Sequence, residues 1–390
     1  MATIMGFTTS NPLLRGTEAI DTIYGNSLGP IDFVAGSDTI RGFGGDDTIA
    51  GDGSTVAANG KGGNDRIEGG TGDDRLFGDA TGSVWGIAGN DVIYGDEPTT
   101  QPGPHNGRDW LIGDSGDTLF GVGGNDTLYA SSEGSLSVGD AWLIAAGSRG
   151  GDDRIFGGGE ISGDSMRTMV DAVGGDDLID ASAATRGSRL YGEVAYGTTL
   201  GGMTGSSFGG ADTIIGSAFE DQIYGEATAI FGQTRAGNDQ LAGGGGRDFI
   251  VGDASLITDA ARGGNDVLQG GAGDDELFGD GTKLASTARG GDDVLVGGEG
   301  NDLLNGDGRL VQGAVGGKDQ FVFEGDFGHD RVLDFRPEEG DQILFKGIDQ
   351  KHVQIVLDGA DPALTLDTGQ SVTLVGFFGN LTVGTDILFA

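Results

Sequence analysis

The sequence predicts an all-β chain, a parallel β-roll or β-helix solenoid with a β-rich C-terminal cap. Three observations lead there. A nine-residue unit recurs, complete in GGAGDDELF (Gly270 to Phe278) and in GGEGNDLLN (Gly297 to Asn305). An aspartate stands two places before a large aliphatic residue in copy after copy, as in Asp275 before Leu277 and Asp302 before Leu304. Gly-Asp pairs then step along the chain at a constant interval, 280 − 253 = 27 and 307 − 280 = 27.

Each part of the unit has a physical role. The first six residues are a turn. Glycines there admit positive φ and let carbonyl oxygens come close together. The sixth-place aspartate adds a carboxylate, and a set of carbonyl and carboxylate oxygens suits a hard cation that takes six to eight of them, namely calcium. The last three residues form a short strand with the aliphatic side chain turned inward. One unit buries one side chain and cannot fold alone, whereas a stack buries a continuous aliphatic ladder. A flexible Gly/Asp linker would hold no such register.

These units fit the pattern G-G-x-G-x-D-x-U-x, with U aliphatic, and resemble the RTX (haemolysin-type calcium-binding) repeat. The resemblance implies a calcium-loaded β-roll with calcium between the turns of successive coils. It also implies secretion by a type I apparatus that reads an uncleaved C-terminal signal. It assigns the metal to the sixth-place carboxylates Asp47, Asp65, Asp74, Asp91, Asp126, Asp153, Asp177, Asp239, Asp248, Asp266, Asp275, Asp293 and Asp302. Carbonyls of the same turns, from Gly63, Gly72, Gly264, Gly273, Gly291 and Gly300, would supply much of the rest. Asp212, Asp221 and Asp319 lie in worn turns, and the Gly-Asp carboxylates Asp79, Asp253 and Asp280 are open to two readings, ligation or turn capping.

Composition agrees. Glycine is 82 of 390 residues, against an ordinary share of about 7%. Only 7 prolines occur and no strict G-X-Y period exists, which excludes collagen. The net charge is 22 − 61 = −39. So acidic a chain repels itself when compact and does not seek nucleic acid. Its carboxylates gather in turns, so the charge reads as the complement of on the order of ten to twenty calcium ions whose binding drives folding. The absence of cysteine rules out disulfides and thiolate metal sites. Calcium modules of the exterior bind at ~10⁻⁴–10⁻³ M, which points to a secreted or surface location. No signal peptide is visible between Met1 and Pro30, and no stretch approaches the ~20 apolar residues of a membrane helix.

In chain order, residues 1–15 read as a small N-terminal cap segment and 16–325 as the repeat array with inserts. The array starts worn (GTEAIDTIY from Gly16), is clean at Gly62 to Phe77, and is clean again from Ala236 to Asp307. Each 27-residue step holds two nine-residue units and an insert such as DGTKLASTAR. Two coil shapes fit, a two-sided roll with eighteen residues per turn and a three-sided coil with 27. Family resemblance favours the first and the step of 27 the second. The residue before many Gly-Asp pairs is large and apolar (Phe77, Tyr94, Ile112, Val251, Phe278) and by alternation points outward. Either the insert covers it or it forms a contact stripe. Residues 326–390 read as a C-terminal β cap and type I secretion signal. They contain the strand-like runs HVQIVLDG, ALTLDTG and SVTLVGF and the apolar tail Ile387 to Ala390.

Catalytic patterns find no support. There is no H-E-x-x-H, P-loop, G-x-S-x-G elbow or dinucleotide fingerprint. The Gly113-Asp114-Ser115-Gly116 loop has only His105 nearby as a base, and Asp114 is better explained as a turn residue. The expectation is a non-enzymatic extracellular structural protein (matrix, surface layer, filament or adhesion) that self-associates on binding calcium. The rivals are an enzyme or toxin with its site in the inserts, and a monomeric secretion passenger.

Overall fold

The computed structural model describes residues 2–6, 13–96, 107–130, 134–195, 202–358 and 361–390. Among them the regular structure is strand throughout, apart from one 3-10 turn at Gln350–His352. The strands stack into three walls. The first has 16 strands, the second 14 and the third 8, with a two-stranded piece of the third wall near the start.

One clean coil shows the path. Val267–Ala272 lies in the second wall, a turn carrying Asp275 leads to Glu276–Phe278 in the first, and the corner Gly279-Asp280 leads to Lys283–Leu284 in the third. A turn carrying Gly291 and Asp293 then begins the next second-wall strand, Val294–Glu299. Successive coils pair in parallel, residue on residue, with Leu268 on Leu295 and Leu277 on Leu304, each pair 27 apart. Fourteen strands at ~4.8 Å give a second wall about 60 Å long.

The two coil shapes expected from the sequence are combined. The insert is a third wall that always falls on the same side, so the coil has 27 residues where it is regular and as few as 24 or as many as 35 elsewhere, and the two-sided preference is corrected. The interior is nevertheless divided. Side chains of the first and second walls, such as Ile250, Leu268, Leu277 and Leu295, make most of the main core. The inserts have a second core of their own, with Ala254, Ile257, Ala261, Leu284 and Ala288. Each fully buried Leu or Ile is worth ~1.5–3 kcal/mol, and the regular register repeats that contribution coil after coil.

The insert also covers the outward apolar residues of the first wall. Phe77, Ile112 and Val251 are buried and pack with Met166 and Ala195 from the inserts. Phe278 packs against the same cluster half-buried. Tyr94 belongs to the second wall instead, half-buried, with its ring 4.6 Å from that of Tyr129. The covered reading therefore holds for the first-wall residues.

At the start of the chain Ala2–Met5 and Leu13–Arg15 pair in parallel with Asp21–Tyr24 and with Thr39 to Arg41, so both lie on the stack as its first strands. Beyond Gly325 the first wall continues through His329–Val332 and Ser371–Leu374, then turns antiparallel through Asp361–Leu366 and Val353–Asp358. The second wall continues through Gln342–Lys346 to Ile387–Phe389, which makes the apolar tail a paired strand. Phe321, Phe323, Phe327, Phe335 and Phe345 fill this end of the main core.

Candidate metal centre

The aspartates assigned from the sequence fall into two columns on different edges of the roll. The first column, at the turn from the second wall to the first, holds Asp47, Asp74, Asp248, Asp275 and Asp302. The second, at the turn from the third wall to the second, holds Asp65, Asp91, Asp126, Asp153, Asp177, Asp239, Asp266 and Asp293. All are at most 3% exposed.

One hydrogen bond builds both columns. The backbone N–H of each aspartate donates to Oδ1 of the aspartate one coil on: Asp248 to Asp275 at 2.8 Å, Asp275 to Asp302 at 2.9 Å, Asp239 to Asp266 and Asp266 to Asp293 at 2.8 Å. The second oxygen is left without a partner. Oδ2 of each of these thirteen aspartates is buried and unbonded. An orphaned buried carboxylate oxygen is costly, and a column of them one coil apart adds mutual repulsion.

The carbonyls lie where the free oxygens point. A Cβ placed on Gly270 would collide with both Asp275 Oδ2 and the Gly297 carbonyl. One placed on Gly252 would collide with Asp266 Oδ2 and the Gly279 carbonyl. Each turn thus gathers carboxylate and carbonyl oxygens into a space that only glycine leaves open. Among the described residues no three carboxylate, histidine or cysteine side chains converge, so backbone carbonyls would complete any coordination shell. The donors are all hard oxygens and fit calcium.

The glycines of both edges leave room for a carbonyl of the preceding coil, and those of the first edge meet a second need. Gly72, Gly273 and Gly300, on the first edge, have φ of 130°, 142° and 146°, as the sequence suggests. Gly63, Gly264 and Gly291, on the second edge, do not have positive φ. There the reason is close approach, because a Cβ on Gly264 would fall onto the Gly237 carbonyl oxygen of the preceding coil. The insert interrupts the nine-residue unit at this edge and changes its backbone.

Burial is the first cause of the raised carboxyl pKa values, with neighbouring carboxylates adding to it in several. Asp47 and Asp275 are pushed up to about 6, Asp248 and Asp302 to about 7, and Asp74 and Asp126 to about 8. Asp65, Asp91, Asp153, Asp177, Asp239, Asp266 and Asp293 are held well above the usual range. A bound dication would reverse this by favouring the ionised form.

The columns are longer than the strict repeat indicates. Asp212 and Asp319 take full places in the second column, each with Oδ2 free, whereas Asp221 continues the first column with its Oδ2 already taken by Ser217. Asp21, Asp109 and Asp330 extend the first and Asp38 and Asp341 the second, all missed by the glycine pattern. Their signal was present in the Asp-x-aliphatic step of DTI, DWL, DRV and DQI. The first column is interrupted where Ser135, Gly159 and Ser188 stand in register between Asp109 and Asp221. Beside this gap a cavity of about 510 Å³ is lined by glycines, Ser188 and polar or charged side chains, among them Glu160, Arg186 and Glu220, with no aromatic. Of the loop residues weighed for catalysis, Asp114 is buried and accepts from Gly124 N–H, and His105 lies outside the described residues.

Residues 35–54, 58–81, 83–97, 111–132, 206–229, 233–255, 260–281 and 287–308 match the RTX calcium-binding nonapeptide repeat (4 copies). Eight segments of the chain thus carry the RTX calcium-binding repeat. The matched segments carry members of both columns, Asp47 and Asp248 of the first and Asp65 and Asp266 of the second. No curated protein matches the chain. Among solved structures it is similar to the extracellular lipase LipA from Serratia marcescens, at 17% identity and a TM-score of 0.21, over 52% of this chain. The match spans 45% of that structure, under half its length.

Proposed function

We propose that this protein is a secreted, non-enzymatic structural protein of the cell exterior. It folds when the aspartate columns take up calcium and then self-associates into matrix, surface layer, filament or adhesive material. The observation that carries this reading is the pair of long columns of buried carboxylates, the thirteen of the clean turns each with one oxygen unbonded. Calcium at the millimolar level of the exterior would neutralise them, so binding energy becomes folding energy. The aspartates of both columns would hold the ions together with turn carbonyls. Export by the type I route follows from the RTX repeat and suits a chain that stays unfolded until it meets calcium.

Self-association has a new candidate surface. Val34, Ile87, Val122, Val173, Phe208 and Val315, each at least 41% exposed, share one column with Lys61, Arg149, Arg235, Arg262 and Arg289 where the third wall turns toward the second. Exposed apolar side chains grouped in this way, here as the neighbours Ile87–Val122 and Val173–Phe208, are a contact feature. It replaces the first-wall stripe, which is covered. Among the described residues no helix is long and apolar enough to cross a membrane.

The test is a calcium titration of stripped protein followed by far-UV circular dichroism and light scattering. A coil-to-β transition at sub-millimolar to millimolar calcium with scattering rising in step supports the proposal. A transition without scattering removes self-association, and no transition removes calcium as the organising ligand.

A further inference from the structure

A third row of acidic side chains runs along the roll outside the sixth place of the repeat. It follows the first-wall strand of each coil, from Asp52 and Asp79 through Glu193 and Glu226 to Asp280 and Asp307, and every member named is fully buried. Each caps a turn of the same coil, Asp114, Asp140 and Asp164 with both oxygens and the others with one. Gly89 N–H donates to Asp79 at 2.9 Å, Gly264 N–H to Asp253 at 2.8 Å and Gly291 N–H to Asp280 at 2.6 Å. Glu193 and Glu226 accept in the same way from Gly210 and Gly237.

Capping needs only that one oxygen. The other oxygens, Asp79 Oδ1, Glu193 Oε2, Glu226 Oε2, Asp253 Oδ2 and Asp280 Oδ2, are buried without a partner. Each lies against a glycine of the turn that leads into the second column, as Asp253 Oδ2 does against Gly263 and Asp280 Oδ2 against Gly290. Asp266 Oδ2 lies against Gly252, the residue before Asp253. The charge of Asp253 in turn helps to raise the Asp266 carboxyl.

The first coil shows what belongs in the gap. There the row is occupied by Asn26 instead of an acid. Its amide Nδ2 donates to Asp52 Oδ1 at 2.8 Å and to Asp38 Oδ2 at 3.0 Å. One electropositive group thus joins a third-row oxygen to a second-column oxygen. Asp52, so joined, has no orphaned oxygen, whereas Asp79, Asp253 and Asp280 do.

We propose that the members of this row with a free oxygen, Asp79, Glu193, Glu226, Asp253 and Asp280, are cation ligands, and that with the second column they form calcium sites having a side-chain carboxylate from each. The ion takes the place that the Asn26 amide holds in the first coil. Glu193 and Glu226 fill the same role with a longer arm. The two edges of the roll therefore differ, and the second edge, with twice the carboxylates per coil, retains calcium at the lower concentration. This rests on the calcium reading above.

The experiment compares bound calcium per chain, by equilibrium dialysis and metal analysis, in the wild type, Asp253→Asn/Asp280→Asn and Asp280→Glu, all full-length. The asparagines keep the cap and bring an amide donor like Asn26. The expected result is about two fewer ions per chain in the double variant, with its far-UV β signal retained and its calcium-free form more stable at neutral pH. Asp280→Glu should keep the wild-type count. An unchanged count and affinity in the double variant would overturn the proposal and leave the row as caps. If the double variant lost its β signal, single Asp253→Asn would be read by the same count, one ion lost or none. A wild type that binds no calcium would defeat the calcium reading itself, and the wild-type measurement alone shows it.

Discussion

Removing calcium while varying pH tests the central energetics. Asp253 is fully buried and its carboxyl rises from an ordinary 3.8 to about 7, first through burial. Asp126, equally buried, rises to about 8. At 1.36 kcal/mol per pH unit these rises correspond to ~4 and ~6 kcal/mol above the folded values. Two such groups already rival the ~5–15 kcal/mol total stability of an ordinary domain, and the columns hold many more. The sign follows from raised folded values. The folded chain binds protons more tightly than the unfolded one, so this contribution is fully present below about pH 4 and is lost as pH climbs through 7 to 8. Calcium-free protein, stripped by dialysis and kept dilute, should therefore show its β signal in far-UV circular dichroism at the acid end. It should lose that signal between about pH 5 and 8. Millimolar calcium should preserve the signal at pH 8. A calcium-free β signal that is flat from pH 4 to 8, or that grows with pH, would refute the account of the columns as uncompensated charge.

Gly264→Ala should prevent its coil from stacking, because the new Cβ collides with the Gly237 carbonyl, and should lower Tm sharply. Gly245→Ala, whose Cβ meets nothing nearer than 3.7 Å, should change Tm little. Phe77→Ser should lower Tm by removing a buried ring, a loss of ~3–5 kcal/mol if as large as Phe→Ala in a core, without changing light scattering. Ile87→Ser with Val122→Ser, on the exposed ridge, should reduce scattering with little effect on Tm. Ser188→Asp should supply a carboxylate to one coil of the gap in the first column and raise the bound calcium by about one ion, read by metal analysis.

The repeat unit was legible because its signals are local. Asp275 and Leu277 sit two residues apart, and that step alone states which side chain points in and which edge carries the carboxylate. The same step marks Asp38, Asp109, Asp330 and Asp341, which a search anchored on glycines passes over. The glycines of Gly264 and its neighbours were legible as necessary but not as to why. Close approach between coils, rather than positive φ, requires them. The covering of Phe77 and Val251 could not be read from alternation, which specifies a face of a strand but not what lies over it.

By itself the sequence determined the solenoid, the 27-residue recurrence of its Gly-Asp pairs and the thirteen turn aspartates that precede the inward aliphatic residues, since each depends on spacing within one or two units. Only the tertiary structure decided that these carboxylates form two columns on different edges. It also showed that the inserts build a third wall with its own core, and that the acid after each first-wall strand is buried and caps a turn. Those relations join residues 10 to 35 positions apart, across coils and across an insert of variable length. The physical reason is that a buried carboxylate is defined by which oxygens stack above and beside it, and stacking is a property of the folded roll.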